Sequence, residues 1–409
     1  MEVLNLRIPQ VTDWQSRLGQ ALDLIPLEVD SAPVLAEPLE VIGECGRHLR
    51  VRPLQHPLLA NPARAVTEPM RVSDVLVSLL AQGEPQAFSM VTALQMSPRK
   101  GEEEWFLPMA LARNDGWRGN LKKLKLRDGR LLDARGNVVD LVDKLLPPHA
   151  LTLWTDPGDS ALQSGGALAG DGAWVDLGGA GGRITLPRQV FTEHPQLEGE
   201  WLPLADEAAS GLLRPFLDPQ EGMSSSQVQD LLSWVRGQDS FDEDGDGDTG
   251  DARPWLMGDV LHSAPVAVNY GHRRGSGYSV LNPDVRLLFG SNDGYLRMLR
   301  NTRPDGAEDG SESFAFMPLE LMSRQARLAG VLPTGGSGHV YGLDGEIAVL
   351  RRDSGGDGAI DSADGDLAWL YFGQRRGGSH YYALDVSNPE APRLGWKVGP
   401  HSPACLSWP

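Results

Sequence analysis

An acidic segment in the second half of the chain has the residues best suited to chemistry. Six aspartates lie between residues 239 and 251: Asp239, Asp242, Asp244, Asp246, Asp248 and Asp251. Such closely spaced like charges repel each other unless solvent or a cation neutralises them. Asp242, Asp244 and Asp246 occupy positions 1, 3 and 5 of a calcium-binding loop, and Gly247 stands at position 6, where such a loop turns sharply. The segment therefore predicts a calcium site, with Asp248 and Asp251 as further oxygen donors.

Two positions of this first acidic loop depart from the helix-loop-helix calcium motif. Position 8 is Thr249 instead of an aliphatic residue, and position 12 is Arg253 where a bidentate glutamate would stand. We therefore interpret the segment as a loop site without the two-helix frame. A solvated acidic loop is the alternative, since aspartate and glycine also dominate ordinary turns.

A second acidic loop has the sequence DSGGDGAIDSAD, residues 353–364. Its candidate ligands stand at positions 1, 5, 7, 9 and 12: Asp353, Asp357, the carbonyl of Ala359, Asp361 and Asp364. Gly358 holds position 6 and Ile360 the aliphatic position 8, but Gly355 at position 3 removes a carboxylate. The pattern predicts a second calcium site, and a solvated hairpin tip is the alternative.

The spacings that accompany catalysis are missing. The sequence contains neither H-E-x-x-H nor G-x-S-x-G, and no cysteine stands within a supporting constellation. His262 and His380 stand near predicted strand ends, where a hydrogen-bonded structural role is expected. Carboxylates crowded on glycine-rich loops favour cation chelation over a tuned acid-base pair. We therefore expect a protein that is not an enzyme.

The first acidic loop must be positioned by a helix before it and strands after it. A helix is predicted from an N-terminal cap at Ser224, with one apolar face and Gly237 as its stop; the face holds Val228, Leu231, Leu232 and Val235. After the loop, residues 285–301 alternate around an Asn-Asp-Gly turn, which predicts a hairpin of a β-propeller blade, and residues 367–389 repeat the pattern. Gly290 and Gly373 in the two copies are 83 residues apart, more than one blade needs, and the text between them favours an insertion over a further blade.

The first half of the chain is predicted to be mainly β, with a few short helices. Helices are expected at residues 12–25 and after Ser73, with extended connections between them, and a hairpin is expected from residues 87–96 and 105–111. Tight turns are expected at Asp128-Gly129 and Arg135-Gly136-Asn137. The basic cluster of Lys122, Lys123 and Lys125 is interpreted as a solvated strand face. We predict two domains, residues 1–220 and 221–409.

Composition limits the classes of partner. A net charge of −18 argues against nucleic acid and anionic membrane surfaces. No apolar run reaches the roughly 20 residues of a membrane span, and no secretion signal is visible at the start. The two cysteines, Cys45 and Cys405, form no metal or redox spacing. The start and the ending of the sequence suggest a fragment at both ends, with blades expected beyond residue 409.

Several segments between residues 73 and 399 form a recognisable set of motifs. They are WRGNLKK at 117–123, a Gly-Gly-Ala element and R-x-V-F-T between 151 and 192, WVRGQD at 234–239, WLMGDVLHSAPVAVNYG at 255–271, FAFMP at 314–318 and YGLDG at 341–345. The set resembles the PilC/PilY family of type IV pilus assembly proteins and tip adhesins, although Leu124 stands where that family often has an aromatic residue.

The resemblance implies an incomplete propeller with quinoprotein-like blades, and calcium as the cofactor without assigning it to one of the two loops. It implies pilins and pilus-assembly proteins as partners, contact with a host or abiotic surface, a role in adhesion and twitching motility, and a location at the pilus tip or outer membrane. Two alternatives remain open at this point. One is a quinoprotein-like oxidoreductase, for which we find no cofactor constellation, and the other is a generic envelope scaffold.

Overall fold

The computed structural model describes residues 102–400, apart from 114–115, 142–145, 159–169, 206–207 and 332–338, together with four earlier strands. The chain forms two compact units. One consists of residues 1–85 and 402–409, and the other of residues 86–401. In the first unit an antiparallel hairpin is described, β1 (Leu39–Ile42) and β2 (His48–Val51). The helices predicted at residues 12–25 and after Ser73 lie outside the described residues.

The second unit begins with a five-stranded antiparallel sheet. Its strands are β3 (Ala87–Ser89), β4 (Leu94–Arg99), β5 (Glu102–Arg113), β6 (Gly116–Arg127) and β7 (Arg130–Leu132). Strand β5 pairs with β3, β4 and β6, which confirms the predicted hairpin. The turn between β6 and β7 has positive φ at both Asp128 (51°) and Gly129 (73°), as a tight hairpin turn requires.

Two of the three lysines of β6, Lys122 and Lys123, are buried and Lys125 is partly exposed, so the prediction of a solvated strand face was wrong. The side chains of Lys122 and Lys123 are both 0% exposed. Nζ of Lys122 lies 2.8 Å from Oδ2 of Asp171, and Nζ of Lys123 lies 2.9 Å from Oε1 of Glu104 and 2.5 Å from Oε2 of Glu308. Because Lys122 and Lys123 each meet a carboxylate distant in sequence, these two lysines can be buried at a tolerable cost.

A six-stranded sheet combines strands from both sides of the predicted domain boundary. Its strands are β8 (Val190–Glu193), β9 (Trp201–Pro203), β10 (Val266–Asn269), β11 (Val285–Gly290), β12 (Leu296–Arg300) and β13 (Glu312–Phe316). The strand order is β10-β11-β12-β13-β8-β9, and β13 pairs with β8 in parallel while the other pairs are antiparallel. The predicted turn of Asn292, Asp293 and Gly294 joins β11 to β12, which confirms that hairpin.

Two helices precede the first acidic loop, α1 (Ala209–Leu217) and α2 (Ser225–Arg236). The sequence predicted α2 and missed α1. In α2 the side chain of Ser224 accepts a hydrogen bond from the amide of Gln227, whose own side chain accepts one from the amide of Ser224. Gly237 ends the helix in the left-handed conformation with φ 111°.

A second antiparallel meander follows an insertion. Along the chain, a 3₁₀ turn at Leu319–Arg324 and α3 (Gln325–Leu328) follow β13 and precede the meander. The meander consists of β14 (Ile347–Arg352), β15 (Leu367–Gly373), β16 (Tyr381–Asp385) and β17 (Arg393–Val398). Gly290 ends β11 and Gly373 ends β15, each the second strand of its meander. Among the described residues, no further sheet lies between β13 and β14 along the chain. This confirms the predicted insertion for the described residues.

The centre of the six-stranded sheet, at β11 and β12, is buried on both faces. Along β11, Leu287 and Phe289 pack with Phe106 and Trp154 of the N-terminal region, whereas Leu288 packs in the core that contains both long helices and the second meander. Alternate residues of a strand point to opposite faces of the sheet, so β11 contributes side chains to two hydrophobic cores. This explains the continuous burial of all six of its residues.

The prediction of a mainly-β fold with a few short helices is confirmed. The arrangement of the sheets as blades of an incomplete propeller remains a prediction, as does a domain boundary near residue 220. In the described part of the chain, no helix is long and apolar enough to cross a membrane.

Candidate metal centre in an acidic loop

The end of α2 and a short backbone pairing hold the first acidic loop at its base. The amide of Asp239 donates to the carbonyl of Asp251 at 3.0 Å, and the amide of Arg253 donates to the carbonyl of Gly237 at 3.0 Å. Asp239 is buried, and its two carboxylate oxygens accept from the amide of Glu243 at 2.9 and 3.0 Å. This aspartate therefore serves the base of the loop.

The loop gathers the three carboxylates that its spacing predicted. One oxygen from each of Asp242, Asp244 and Asp246 lies within 4.8 Å of the others. Because calcium binds oxygens at about 2.3–2.6 Å, two oxygens on opposite sides of one ion lie about 5 Å apart. The spacing therefore fits a single ion, and these three side chains are partly or fully exposed to solvent.

The backbone of the loop adopts the turn that the glycines allow. Gly245 and Gly247 have φ of 75° and 86°, and Asp242 itself has φ of 54°. Oδ1 of Asp242 accepts a hydrogen bond from the amide of Gly247 at 3.0 Å, and Oδ1 of Asp246 accepts from the amide of Asp248 at 2.7 Å. These bonds fold the loop back on its first carboxylate.

Asp251 supports the fit of a cation. Its Oδ1 is buried and accepts no hydrogen bond from any described residue. Burial raises the pKa of Asp251, and the carboxylates of Asp246, Asp244 and Asp248 raise it further. A donor set made only of oxygens, with an unsatisfied carboxylate beside it, matches the preference of calcium for hard oxygen ligands.

Arg253 does not neutralise the three carboxylates. Its Nε lies 2.9 Å from Oε1 of Glu243, and its guanidinium carbon lies 3.6 Å from the ring centroid of Trp234 on α2. The indole nitrogen of Trp234 donates to the same Glu243 oxygen at 2.5 Å. Arg253, at position 12, thus fixes the loop to α2. The sequence did not predict this contact.

The second acidic loop repeats two hydrogen bonds of the first. Oδ2 of Asp353 accepts from the amide of Gly358 at 2.7 Å, and Oδ1 of Asp357 accepts from the amide of Ala359 at 2.9 Å. They join positions 1 and 6 and positions 5 and 7, as in the first loop, and Gly358 likewise has positive φ, 82°. The buried side chain of Ile360 fixes the loop from inside, and its amide donates to Asn269 of β10 at 2.8 Å.

The candidate ligands of the second loop are not gathered in the same way. Within the residues that the structure describes, the one group of three metal-ligating side chains this close together is that of the first loop. Oδ1 of Asp361 accepts from the amide of Ala363 at 2.9 Å, and Asp364 is exposed in a short 3₁₀ turn. Sequence reasoning missed Asp366, whose carboxylate accepts from the amides of Ser354 and Asp361 at 2.8 and 3.1 Å and so closes the loop.

His262 is hydrogen-bonded, and its structural role remains a prediction. Its Nδ1 lies 2.8 Å from Oδ1 of the buried Asp344. His380 pairs more loosely, with Nε2 3.8 Å from Oε1 of Glu320. A third histidine, His339, was not singled out from the sequence; its Nε2 lies 2.8 Å from Oδ1 of the buried Asp259.

The sequence of the chain is similar to those of known type IV pilus proteins. The chain is similar to the type IV pilus biogenesis factor PilY1 of Pseudomonas aeruginosa (strain PAK), with 26% identity over 200 residues, 44% of this chain and 15% of that protein. It is also similar to the PilY1 homolog of Xylella fastidiosa (strain Temecula1), with 28% identity over 194 residues, 43% of this chain and 14% of that protein.

The chain thus aligns with about a seventh of the length of these curated relatives. No protein-family model matches it. No solved structure matches it. The relatives all carry the name PilY1 or PilY1 homolog, which confirms the resemblance of this chain to the PilC/PilY family of type IV pilus proteins.

Proposed function

We propose that this chain is a type IV pilus biogenesis factor that binds calcium and acts by protein binding, not by catalysis. The observation that carries the calcium part is the group of Asp242, Asp244 and Asp246, with carboxylate oxygens within 4.8 Å of one another. The pilus part rests on the similarity to PilY1 proteins at 25–28% identity.

The proposed scaffold is an incomplete β-propeller. Two four-stranded antiparallel runs, β10–β13 and β14–β17, support it, because a blade is a four-stranded antiparallel sheet. The second acidic loop connects the first two strands of the second run. The first acidic loop lies between α2 and β10, the first strand of the first run. In this arrangement the cation-dependent order of either loop would change a binding surface.

Calcium would be held by Asp242, Asp244 and Asp246, with Asp248 and Asp251 as nearby donors. The second loop would contribute Asp353, Asp357, the carbonyl of Ala359, Asp361 and Asp364. Bound calcium supplies positive charge that offsets carboxylate repulsion. The chain's own contribution is the left-handed turn at Gly247 and Gly358, which presents each loop's first carboxylate.

The proposed partners are pilins and pilus-assembly proteins, and a host or abiotic surface if the protein is a tip-associated adhesin. The proposed location is the pilus tip or outer membrane. Calcium occupancy would then alter how the protein engages its partners, because an ordered loop presents a fixed set of contacts.

The calcium part is tested by calorimetric titration of the full chain with calcium, with magnesium as comparison and thermal melts beside it. We expect heat and a raised melting temperature with calcium, both lost in the variant Asp242→Ala/Asp244→Ala/Asp246→Ala. The charge-matched control Asp140→Ala/Glu198→Ala/Asp230→Ala, at exposed sites outside both loops, should bind as wild type. The variant Asp353→Ala/Asp357→Ala/Asp361→Ala measures the share of the second loop. Equal heats for wild type and the first variant would refute the first site.

The pilus part is tested in a piliated bacterium that encodes the chain. Deleting its gene should reduce the pilin recovered by shearing from the cell surface, and the wild-type gene should restore it. If the wild-type gene restores surface pilin and the gene for Asp242→Ala/Asp244→Ala/Asp246→Ala does not, pilus assembly depends on the calcium site. Normal surface pilin in the deletion strain would overturn the role in biogenesis.

A further inference from the structure

A pocket of about 730 Å³ is lined mainly by charged residues, none of which belongs to either acidic loop. Its basic residues are Arg273, Arg274, Arg286, Arg300 and Arg303, and its acidic residues are Asp284, Asp309 and Glu390. The pocket therefore carries a formal excess of two positive charges, five arginines against three carboxylates, in a chain whose net charge is −18. Its volume lies within the roughly 300–1,000 Å³ of small-molecule sites.

Two guanidinium groups in the pocket, that of the buried Arg286 and that of the partly exposed Arg273, share one carboxylate. Nε and Nη2 of Arg286 lie 2.5 and 2.9 Å from the oxygens of Asp284, and Nη2 of Arg273 lies 2.7 Å from the same Oδ2. The side chain of Arg286 is 2% exposed and that of Asp284 is 0% exposed. Two cations against one anion leave an excess positive charge beside the buried Arg286, and a buried charge is costly without a further anion.

Glu390 supplies that anion from another part of the chain. Its Oε1 lies 2.6 Å from Nη2 of Arg286 and 3.9 Å from Nη2 of Arg273, and its Oε2 lies 4.0 Å from Nη2 of Arg300. The side chain of Glu390 is 56% exposed and follows the end of β16, so it can move out to solvent. The carboxylate of Glu390 thus lies within 4.0 Å of three arginines, and arginine forms strong hydrogen bonds with carboxylates.

Donors remain free after Glu390 is bound. Nη1 of Arg286 and Nε of Arg273 are buried and have no hydrogen-bond partner among the described residues. Buried guanidinium groups with unused N–H donors are unfavourable in a folded protein and are expected to have a partner. At the rim, Arg274 and Arg303 are exposed, and the rings of Tyr278 and Pro304 form part of the wall.

We propose that this pocket is a binding site for a small organic anion with two or more carboxylates. One carboxylate takes the place of Glu390 against Arg286 and Arg273, and a second reaches Arg274 or Arg303 at the rim. The carbon skeleton lies against Tyr278 and Pro304, which favours an organic ligand over a bare inorganic anion. This site uses none of the acidic-loop residues and goes beyond the proposed function.

The test is calorimetric titration of the full chain with tricarballylate, a tricarboxylate, in calcium-free buffer. We expect saturable binding that weakens by about tenfold or more in Arg274→Glu/Arg303→Glu, because reversing two charges adds repulsion to the lost attraction. The control Arg130→Glu/Arg135→Glu makes the same change in net charge at exposed arginines outside the pocket and should bind as wild type. Melting temperatures establish that all variants are folded.

The variant Glu390→Gln gives a result that a general charge effect cannot produce. Removing the internal competitor should tighten tricarballylate binding a few-fold, whereas Glu198→Gln, at an exposed site elsewhere, should leave it unchanged. Absence of binding in both wild type and Glu390→Gln would overturn the proposal. So would equal losses in the two arginine variants, or pyrophosphate binding as tightly as tricarballylate. Retained binding in Asp242→Ala/Asp244→Ala/Asp246→Ala separates this site from the calcium site.

Discussion

Gly119 lies against Gly258, and their contact joins two of the segments that carry the family resemblance. A Cβ on Gly119 would lie 2.1 Å from the carbonyl oxygen of Gly258 and 2.4 Å from Cα of Asp259. The amide of Gly119 donates to the carbonyl of Met257 at 3.0 Å, and the indole nitrogen of Trp255 donates to the carbonyl of Gly119 at 2.9 Å. The N-terminal sheet is thereby fixed to the chain that follows the first acidic loop.

Gly119→Ala is therefore expected to destabilise the protein by about 2–3 kcal/mol, because the added methyl group would meet backbone that cannot turn away. Urea unfolding measures the change. Gly182→Ala, at a position with nothing within 4 Å of the added Cβ, is the matched control and should change stability little. Equal stability of the two variants would contradict the contact.

Lys123 is expected to be essential for stability, because it is buried and paired with carboxylates. An exposed lysine of a basic strand would contribute little. Lys123→Met leaves the buried Glu104 without its cation and should cost about 3–5 kcal/mol. Adding Glu104→Gln should recover part of this loss, because Gln can still accept from Nδ2 of Asn301, now 2.8 Å from the Glu104 carboxylate. Lys125→Met, a partly exposed neighbour, should cost less than about 1 kcal/mol. Denaturant unfolding of wild type, of the single variants Lys123→Met, Glu104→Gln and Lys125→Met, and of the double variant checks the order, and additive losses from Lys123→Met and Glu104→Gln would argue against the pair.

Gly247 is expected to be required for the conformation of the first acidic loop. It has φ of 86°, and an added Cβ would meet nothing within 4 Å, so the cost of Gly247→Ala is one of backbone conformation alone, about 1–2 kcal/mol. In the proposed function this cost also weakens calcium binding, which titration calorimetry would detect. Gly182→Ala again serves as control. Unchanged calcium affinity in Gly247→Ala would show that the left-handed turn is not needed for binding.

Asp259 should impose a pH dependence on stability. Burial raises its pKa above the usual 3.8, against the opposing effect of the hydrogen bond to His339. The folded state therefore binds this proton more tightly than the unfolded state does, and the contribution of Asp259 to stability falls as pH rises from about 3.8 through the folded-state pKa. The unfolding free energy of wild type relative to Asp259→Asn should decrease over that window.

Urea unfolding at several pH values between 4 and 8 measures this difference. In the His339→Gln background the window should move to higher pH, because His339 lowers the pKa of Asp259 through its hydrogen bond and charge. A difference between wild type and Asp259→Asn that is constant over the whole range would contradict the prediction.

Local signals in the sequence predicted the local structure well. The cap at Ser224, the apolar face of α2 and the stop at Gly237 were all predicted, because a helix end is decided by hydrogen bonds among residues three or four apart. The turns at Asp128-Gly129 and at Asn292-Asp293-Gly294 were predicted for the same reason. The spacing of Asp242, Asp244 and Asp246 likewise brought three carboxylates together within one short loop.

Partners distant in sequence were not predictable in this way. Lys122 and Lys123 appear as part of an exposed basic strand until Asp171, Glu104 and Glu308 are placed beside them. The parallel pairing of β8 with β13 joins residues more than a hundred positions apart, and no local pattern marks it.

The sequence by itself determined the helix caps, the tight turns, the acidic loops and the resemblance to the PilC/PilY family, since each depends on residue types at short, fixed spacings. Only the tertiary structure decided which charges are buried and which face solvent. The arginine pocket is the clearest case, because Arg286 of β11 and Glu390, after β16, stand 104 residues apart and meet only through side chains from two different sheets. The free energy of a charge depends on its neighbours in space, and the order of residues along the chain does not state them.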